Sequence, residues 1–162
     1  MPLTKRKIDI LLAEDNADDV FFFRDAFKKA GGTGVLHAVS DGLEAVAYLS
    51  AEGDYNNRVS YPFPDVLLLD LNMPQMNGFE VLDWVRQNPK CGRLIVHVLT
   101  SSCRETDIQR AYDLRAISYV VKPIQVEQLV AFVSTLHEWH QFLALPTSED
   151  CAAVGSLADA LA

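Results

Sequence analysis

Short apolar runs alternate with amphipathic stretches along this chain. The runs are Ile8 to Ala13, Val35 to Val39, Val66 to Leu71, Leu94 to Thr100 and Ser118 to Val121. Each is followed by a stretch of helical period: Ala17 to Ala30, Leu43 to Leu49, Phe79 to Gln87, Glu105 to Leu114 and Val126 to Leu143. Runs that are apolar throughout suit strands buried on both faces. Five repeats of strand then helix therefore predict an α/β fold, a parallel sheet covered by helices on both sides. Asn16 and Asp41 are placed to N-cap the first two helices, and Gly31-Gly32 and Asn88-Pro89 to stop the helices before them.

Three segments fall outside the repeat. Glu52 to Pro64 is polar and carries Gly53, Pro62 and Pro64, which predicts a surface connection longer than the usual αβ loop of about two to six residues. Residues 1–7 read as an N-terminal tail, 8–145 as one domain, and 146–162, rich in Ala, Ser and acids, as a disordered C-terminal tail. A length of 162 residues is enough for one well-buried domain and too short for two.

Charge removes several classes of function. The net charge of −8 disfavours a surface that gathers phosphate backbone, and the basic cluster Lys5-Arg6-Lys7 lies in the tail, so nucleic acid is not an expected direct partner. No apolar stretch reaches the roughly 18 residues of a membrane span, and Asp9 interrupts the run after Lys7, which disqualifies it as a signal-peptide core. The protein reads as cytoplasmic, with Cys91, Cys103 and Cys151 as free thiols.

The chemistry collects where strands end. Asp70 closes the run Val66-Leu67-Leu68-Leu69, Glu14 and Asp15 close the first run, and Lys122 closes Tyr119-Val120-Val121. A carboxylate at the C-terminal lip of a buried parallel strand is a candidate reactive group. Three acids at neighbouring strand ends repel one another unless a cation lies between them, and an all-oxygen pocket suits Mg²⁺, which prefers about six oxygen ligands. Lys122 supplies a positive charge for phosphoryl oxygens and Thr100 a hydroxyl donor. With Asp70 as nucleophile, these groups meet the needs of phosphoryl transfer, which are in-line positioning and charge neutralisation.

The ordered set Glu14-Asp15, then Asp70 with Met73-Pro74 and Gly78, then Thr100-Ser101-Ser102, then Tyr119 and Lys122-Pro123 strongly resembles the receiver domain of two-component response regulators. The likeness runs from about Ile8 to Leu145. It implies a flavodoxin-like, doubly wound, five-stranded parallel sheet of order 2-1-3-4-5 with five helices. Residue by residue, it implies that Asp70 accepts a phosphoryl group from a sensor histidine kinase and later loses it by hydrolysis. It implies Mg²⁺ held by Asp15, Asp70 and the backbone carbonyl of Asn72, with Glu14 acting through a bound water. Lys122 becomes the phosphate-contacting lysine, before a bond to Pro123 that is typically cis in the family. Thr100 and Tyr119 become the paired switch residues, whose inward movement alters the surface of the fourth helix, fifth strand and fifth helix. Arg115 stands where the family frequently has glycine; in a left-handed backbone a non-glycine costs about 1 kcal/mol.

Two helices suggest partners. On the fifth, apolar positions cover about half the circumference, more than packing on a sheet requires, so Phe132, Trp139 and Phe142 are expected to form a homodimer surface. On the first, Val20, Phe23 and Phe27 form the core stripe and Phe22 is expected to face outward. The resemblance implies that this face, with Pro74, docks the kinase. The extended fifth helix and the long connection resemble the single-domain regulators that partner phytochrome-type histidine kinases and carry no DNA-binding output domain. One rival is a phosphorylation-independent receiver-like binding module, which loss of an acidic ligand or of Lys122 would favour. A flavin carrier is opposed by Glu14-Asp15-Asn16, which would repel a phosphate. A dehalogenase-like phosphatase is opposed by Asn72, which stands where a second acid would be.

Overall fold

The structure, a computed structural model, describes residues 7–122 and 124–142, without the side chains of 141 and 142. Among these residues five strands, β1 (Ile10–Ala13), β2 (Leu36–Val39), β3 (Val66–Leu69), β4 (Ile95–Thr100) and β5 (Ser118–Val121), form one parallel sheet of order β2-β1-β3-β4-β5. Five helices alternate with them: α1 (Ala17–Lys29), α2 (Gly42–Ser50), α3 (Gly78–Gln87), α4 (Glu105–Asp113) and α5 (Val126–Phe142). This is the doubly wound, flavodoxin-like α/β arrangement expected from the sequence. None of the described helices is long and apolar enough to cross a membrane.

The apolar runs divide by the strand period of two into two cores. Leu11, Ala13, Leu67, Leu69, Val96 and Val98 join Tyr48 of α2, Val81, Leu82 and Val85 of α3 and Ala111 of α4. Ile10, Leu12, Leu68 and Leu99 join Phe23 and Phe27 of α1 and Leu129, Val133 and Leu136 of α5. Each Val, Leu, Ile or Phe among them contributes roughly 1.5–3 kcal/mol on full burial. The first strand begins two residues later than its apolar run, because Ile8 is buried but its N–H is used on the Thr33 carbonyl before β1 pairs with β3. The third ends two residues before its run does, since the chain turns at Asp70 to reach the loop before α3.

The caps set the helix starts. Asn16 accepts the N–H groups of Asp18 and Asp19, and Asp41 accepts that of Glu44. Helix α3 begins at Gly78, one residue before its apolar pattern, because Asn77 and Glu80 close a reciprocal capping box. A Cβ at Gly78 would lie 2.4 Å from the Asp70 carbonyl oxygen and 2.7 Å from the Leu71 Cα. The bare glycine lets the start of α3 press against the end of β3.

The long connection before β3 is more ordered than its composition suggests. It contains a 3-10 turn at Gly53–Asn56, and Arg58 donates to the carbonyls of Tyr48 and Leu49, both at 2.8 Å, satisfying the C-terminal end of α2. The rings of Tyr48, Tyr55 and Tyr61 pack against one another with centroids 5.0–6.0 Å apart. At the far corner, Arg115 adopts φ 63°, the left-handed conformation that makes glycine favourable there.

Candidate functional site

Parallel pairing carries the charged residues to one edge of the sheet. Ala13 lies opposite Leu69 in the β1–β3 ladder, so Glu14 and Asp70, each the next residue, leave the sheet side by side. Thr100 lies opposite Val121 in the β4–β5 ladder, which delivers Lys122 to the same edge. Ligand oxygens of Glu14, Asp15 and Asp70 all fall within 4.8 Å of one another. Glu14 and Asp70 are buried, whereas Asp15 is exposed.

Lys122 reaches into this group. Its ammonium donates to Glu14 Oε2, to Asp19 Oδ2 at 2.8 Å and to Asp70 Oδ2 at 3.2 Å. The other oxygens are held by backbone: Glu14 Oε1 accepts the Asn16 N–H at 3.1 Å and Asp70 Oδ1 that of Asn72 at 3.0 Å. Burial pushes the Glu14 carboxyl up to about 7, opposed by its hydrogen bonds from Lys122 and Asn16. Burial alone would lower the Lys122 ammonium, but the Asp19 and Glu14 carboxylates and the charge on Asp70 raise it, so the lysine stays charged.

The donor set fits a hard divalent cation. Glu14, Asp19 and Asp70 surround the ammonium of Lys122, Asp15 joins Glu14 and Asp70 to leave an excess of negative charge, and every candidate ligand atom is oxygen. A bound cation would offset that excess and relieve the elevated Glu14.

The hydroxyl side of the site is linked through one loop. Thr100 is fully buried, and its Oγ1 accepts from Asn72 Nδ2 at 3.3 Å and from the Ser102 N–H at 3.4 Å. Tyr119 is partly buried and donates to the Ser102 carbonyl at 3.0 Å. Ser102 Oγ in turn donates to Asp107 in the first turn of α4 at 2.5 Å. Thr100 and Tyr119 do not touch directly in these contacts; Ser102 joins them.

The expected partner residues separate. Phe22 is 45% exposed, but Phe21 beside it is more so at 66%, the two rings meeting edge to face at 5.8 Å. Pro74 is exposed in the loop after β3, one residue before Gln75 with φ 66°. Phe132 differs from its expected surface placement: it is partly buried, edge-on to Phe23 at 6.5 Å and to His97 at 5.4 Å, because its position on α5 turns it toward the sheet. Trp139 is 45% exposed. The Phe142 side chain, Pro123 and so the Lys122–Pro123 bond, residues 1–6 and the tail from 143 lie outside the described residues.

Pattern reasoning missed Asp19, which touches Lys122, and the Asn72 amide, which touches Thr100. The signal for Asp19 was present as an acid in the first turn of the helix that follows Glu14-Asp15. Asn72 was identified by its backbone alone, and nothing local marks its side chain.

Residues 10–134 match the family model of the response regulator receiver domain. Over 140 residues the chain is 35% identical to response regulator Rcp1 of Synechocystis sp., spanning 86% of this chain and 93% of Rcp1. The structure resembles that of the phosphorylated cyanobacterial phytochrome response regulator RcpA, with TM-score 0.76 and 36% identity over 88% of this chain and 100% of RcpA. It also resembles the Mn(2+)-bound form of Rcp1, with TM-score 0.74 and 34% identity over 86% of this chain and 99% of that one.

Proposed function

Because the chain belongs to the response regulator receiver domain family, we propose that it accepts a phosphoryl group on Asp70 from a sensor histidine kinase of the phytochrome type, in a Mg²⁺-dependent reaction. The observation that carries this reading is the meeting of Glu14, Asp15 and Asp70 with Lys122 at the end of the sheet that also holds Thr100. The kinase class is supported by similarity to Rcp1 and RcpA over most of the chain.

In the transfer, an Asp70 oxygen attacks phosphorus as the P–N bond of the phosphohistidine breaks; the imidazole keeps that electron pair and takes a proton from solvent. Asp15, Asp70 and the Asn72 carbonyl would hold Mg²⁺, with Glu14 acting through water, and the ion would supply charge neutralisation for the carboxylates and the phosphoryl oxygens. Lys122 donates to a phosphoryl oxygen, and the buried Thr100 hydroxyl turns from its present partners to donate to another. Attack by water on the same phosphorus later returns Asp70 to its free carboxylate.

The signal follows from the loop. Drawing Thr100 toward the phosphoryl group disturbs the Ser102 backbone, to which the Tyr119 hydroxyl is bonded. The changed face comprises α4, β5 and α5, where Tyr112, Ile117 and Val121 are exposed apolar groups. A change of about 1.4 kcal/mol in that balance alters the active population ratio tenfold. Phe22 and Pro74 serve kinase docking, with Phe21 added by its exposure. Trp139 serves a homodimer surface, whereas Phe132 is spent against Phe23 and His97. The protein acts in the cytoplasm.

The test is intact-mass measurement after incubation with Mg²⁺ and acetyl phosphate. Wild type gains one phosphoryl group and Asp70→Asn gains none. Equal labelling, or none in either, overturns the reading. Light-dependent labelling by a phytochrome kinase tests the narrower assignment.

A further inference from the structure

We propose that Asp19 is a placeholder on Lys122: it occupies the ammonium donor that a phosphoryl oxygen takes over, and thereby sets how tightly the site retains that group. The inference rests on Asp70 as the phosphoacceptor. It concerns the lysine's hydrogen-bond allocation.

An ammonium has three N–H donors. All three are in use here, on Glu14, Asp19 and Asp70. An incoming phosphoryl oxygen must therefore displace one acceptor, and burial decides which. The Glu14 side chain is 3% exposed, so leaving it without its cation strands a buried carboxylate, and the bond to Asp70, 7% exposed, is to the reacting residue itself. Asp19 is 42% exposed, and water can replace the lysine on its carboxylate at small cost.

The fold also prepares Asp19 for release. It sits in the first turn of α1, where its N–H is held by the Asn16 side chain at 3.1 Å and where the helix dipole favours a negative charge. A cavity of about 200 Å³ bounded by Glu14, Asp19, Phe22 and Lys122 lies beside the ammonium and gives its chain room to swing. Asp19 is a positioning residue, acting on the phosphoryl group only through Lys122.

Beryllofluoride, which binds an aspartyl oxygen as a phosphoryl analogue, tests this by titration calorimetry at saturating Mg²⁺. Asp19→Asn is expected to bind it about two- to fivefold more tightly than wild type, the range of a partly exposed ion pair. Asp19→Glu restores the wild-type value, because charge and reach return. Asp18→Asn, which removes an equal charge one residue away, leaves the affinity near wild type. Unchanged or weaker binding by Asp19→Asn overturns the inference, and so does an equal gain in Asp18→Asn, which would assign the effect to long-range charge. Asp70→Asn separates the two readings: its failure to bind while wild type binds upholds the phosphoacceptor whatever Asp19 does. No binding by wild type overturns the phosphoacceptor and the placeholder together.

Discussion

Arg86 on α3 donates its Nε–H to the Leu114 carbonyl and an Nη2–H to the Arg115 carbonyl, both at 2.6 Å, and so fastens the end of α4 at the residue whose φ is 63°. The carbonyls of Arg110, Ala111 and Tyr112 accept the N–H groups of Leu114, Ala116 and Arg115, and the guanidinium supplies the next two carbonyls, at the C-cap and the residue beyond it. The same contact fixes one end of a helix whose other end begins at the Thr100 loop.

Removing that clamp should be costly out of proportion to one surface arginine. Arg86→Ala leaves two carbonyls short of a charged donor and is expected to lower unfolding free energy by about 1–3 kcal/mol in urea titration. Arg115→Gly should do the opposite, raising it by about 0.5–1 kcal/mol by relieving the left-handed strain of an exposed residue. A destabilised Arg115→Gly would contradict this account of the corner.

His97 makes stability depend on pH. Its Nδ1 lies 2.7 Å from Ser118 Oγ across adjacent strands, its Nε2 has no hydrogen-bond partner among the described residues, and burial pushes its pKa down to about 4. The folded value lies below the unfolded value of about 6.5. Between them the unfolded chain binds a proton that the folded chain refuses, so stability is lost as pH falls from about 6.5 toward 4. The loss is about 2 kcal/mol by pH 5. Glu14, raised by burial, titrates in the opposite sense over the same range in both proteins, so the readout is the difference between them: in urea titrations wild type should lose about 2 kcal/mol relative to His97→Gln between pH 7 and pH 5, and parallel curves would exclude His97 as the cause.

Mg²⁺ should stabilise the fold through the acid cluster. At ten times its dissociation constant the gain is about 1.4 kcal/mol, visible as a raised thermal midpoint that EDTA reverses. Asp15→Asn, which removes an exposed acid of the trio, is expected to reduce the shift at the same Mg²⁺ concentration. An undiminished shift would place the cation elsewhere.

Thr100→Ala should separate chemistry from signal. Asp70 keeps its neighbours in that variant, so acetyl phosphate should still label it, at a rate lower by about a hundredfold for one lost donor. The response beyond the loop should vanish: beryllofluoride should shift the backbone amide resonances of Ser102 and Tyr119 in wild type and leave them in place in Thr100→Ala. Equal shifts in both would route the signal around Thr100.

What the sequence determined by itself was the frame of the protein and the charged and hydroxyl groups at one end of its sheet. Continuous apolar runs identify strands buried on both faces, and a parallel sheet necessarily gathers their C-terminal residues on one edge. Glu14, Asp15, Asp70, Thr100 and Lys122 were legible for that reason, as were the caps Asn16 and Asp41, whose interactions reach only a few residues.

Tertiary structure decided the contacts between positions far apart in the chain. Asp19 meets Lys122 across 103 residues, Arg86 meets Arg115 across 29, and Asn72 meets Thr100 across 28. It also turned Phe132 inward onto Phe23 while leaving Phe21 in solvent. Local periodicity records which side of an element is apolar. Which donor meets which acceptor depends on how α1, α3 and α5 pack on the twisted sheet, and those angles are set by the whole core at once.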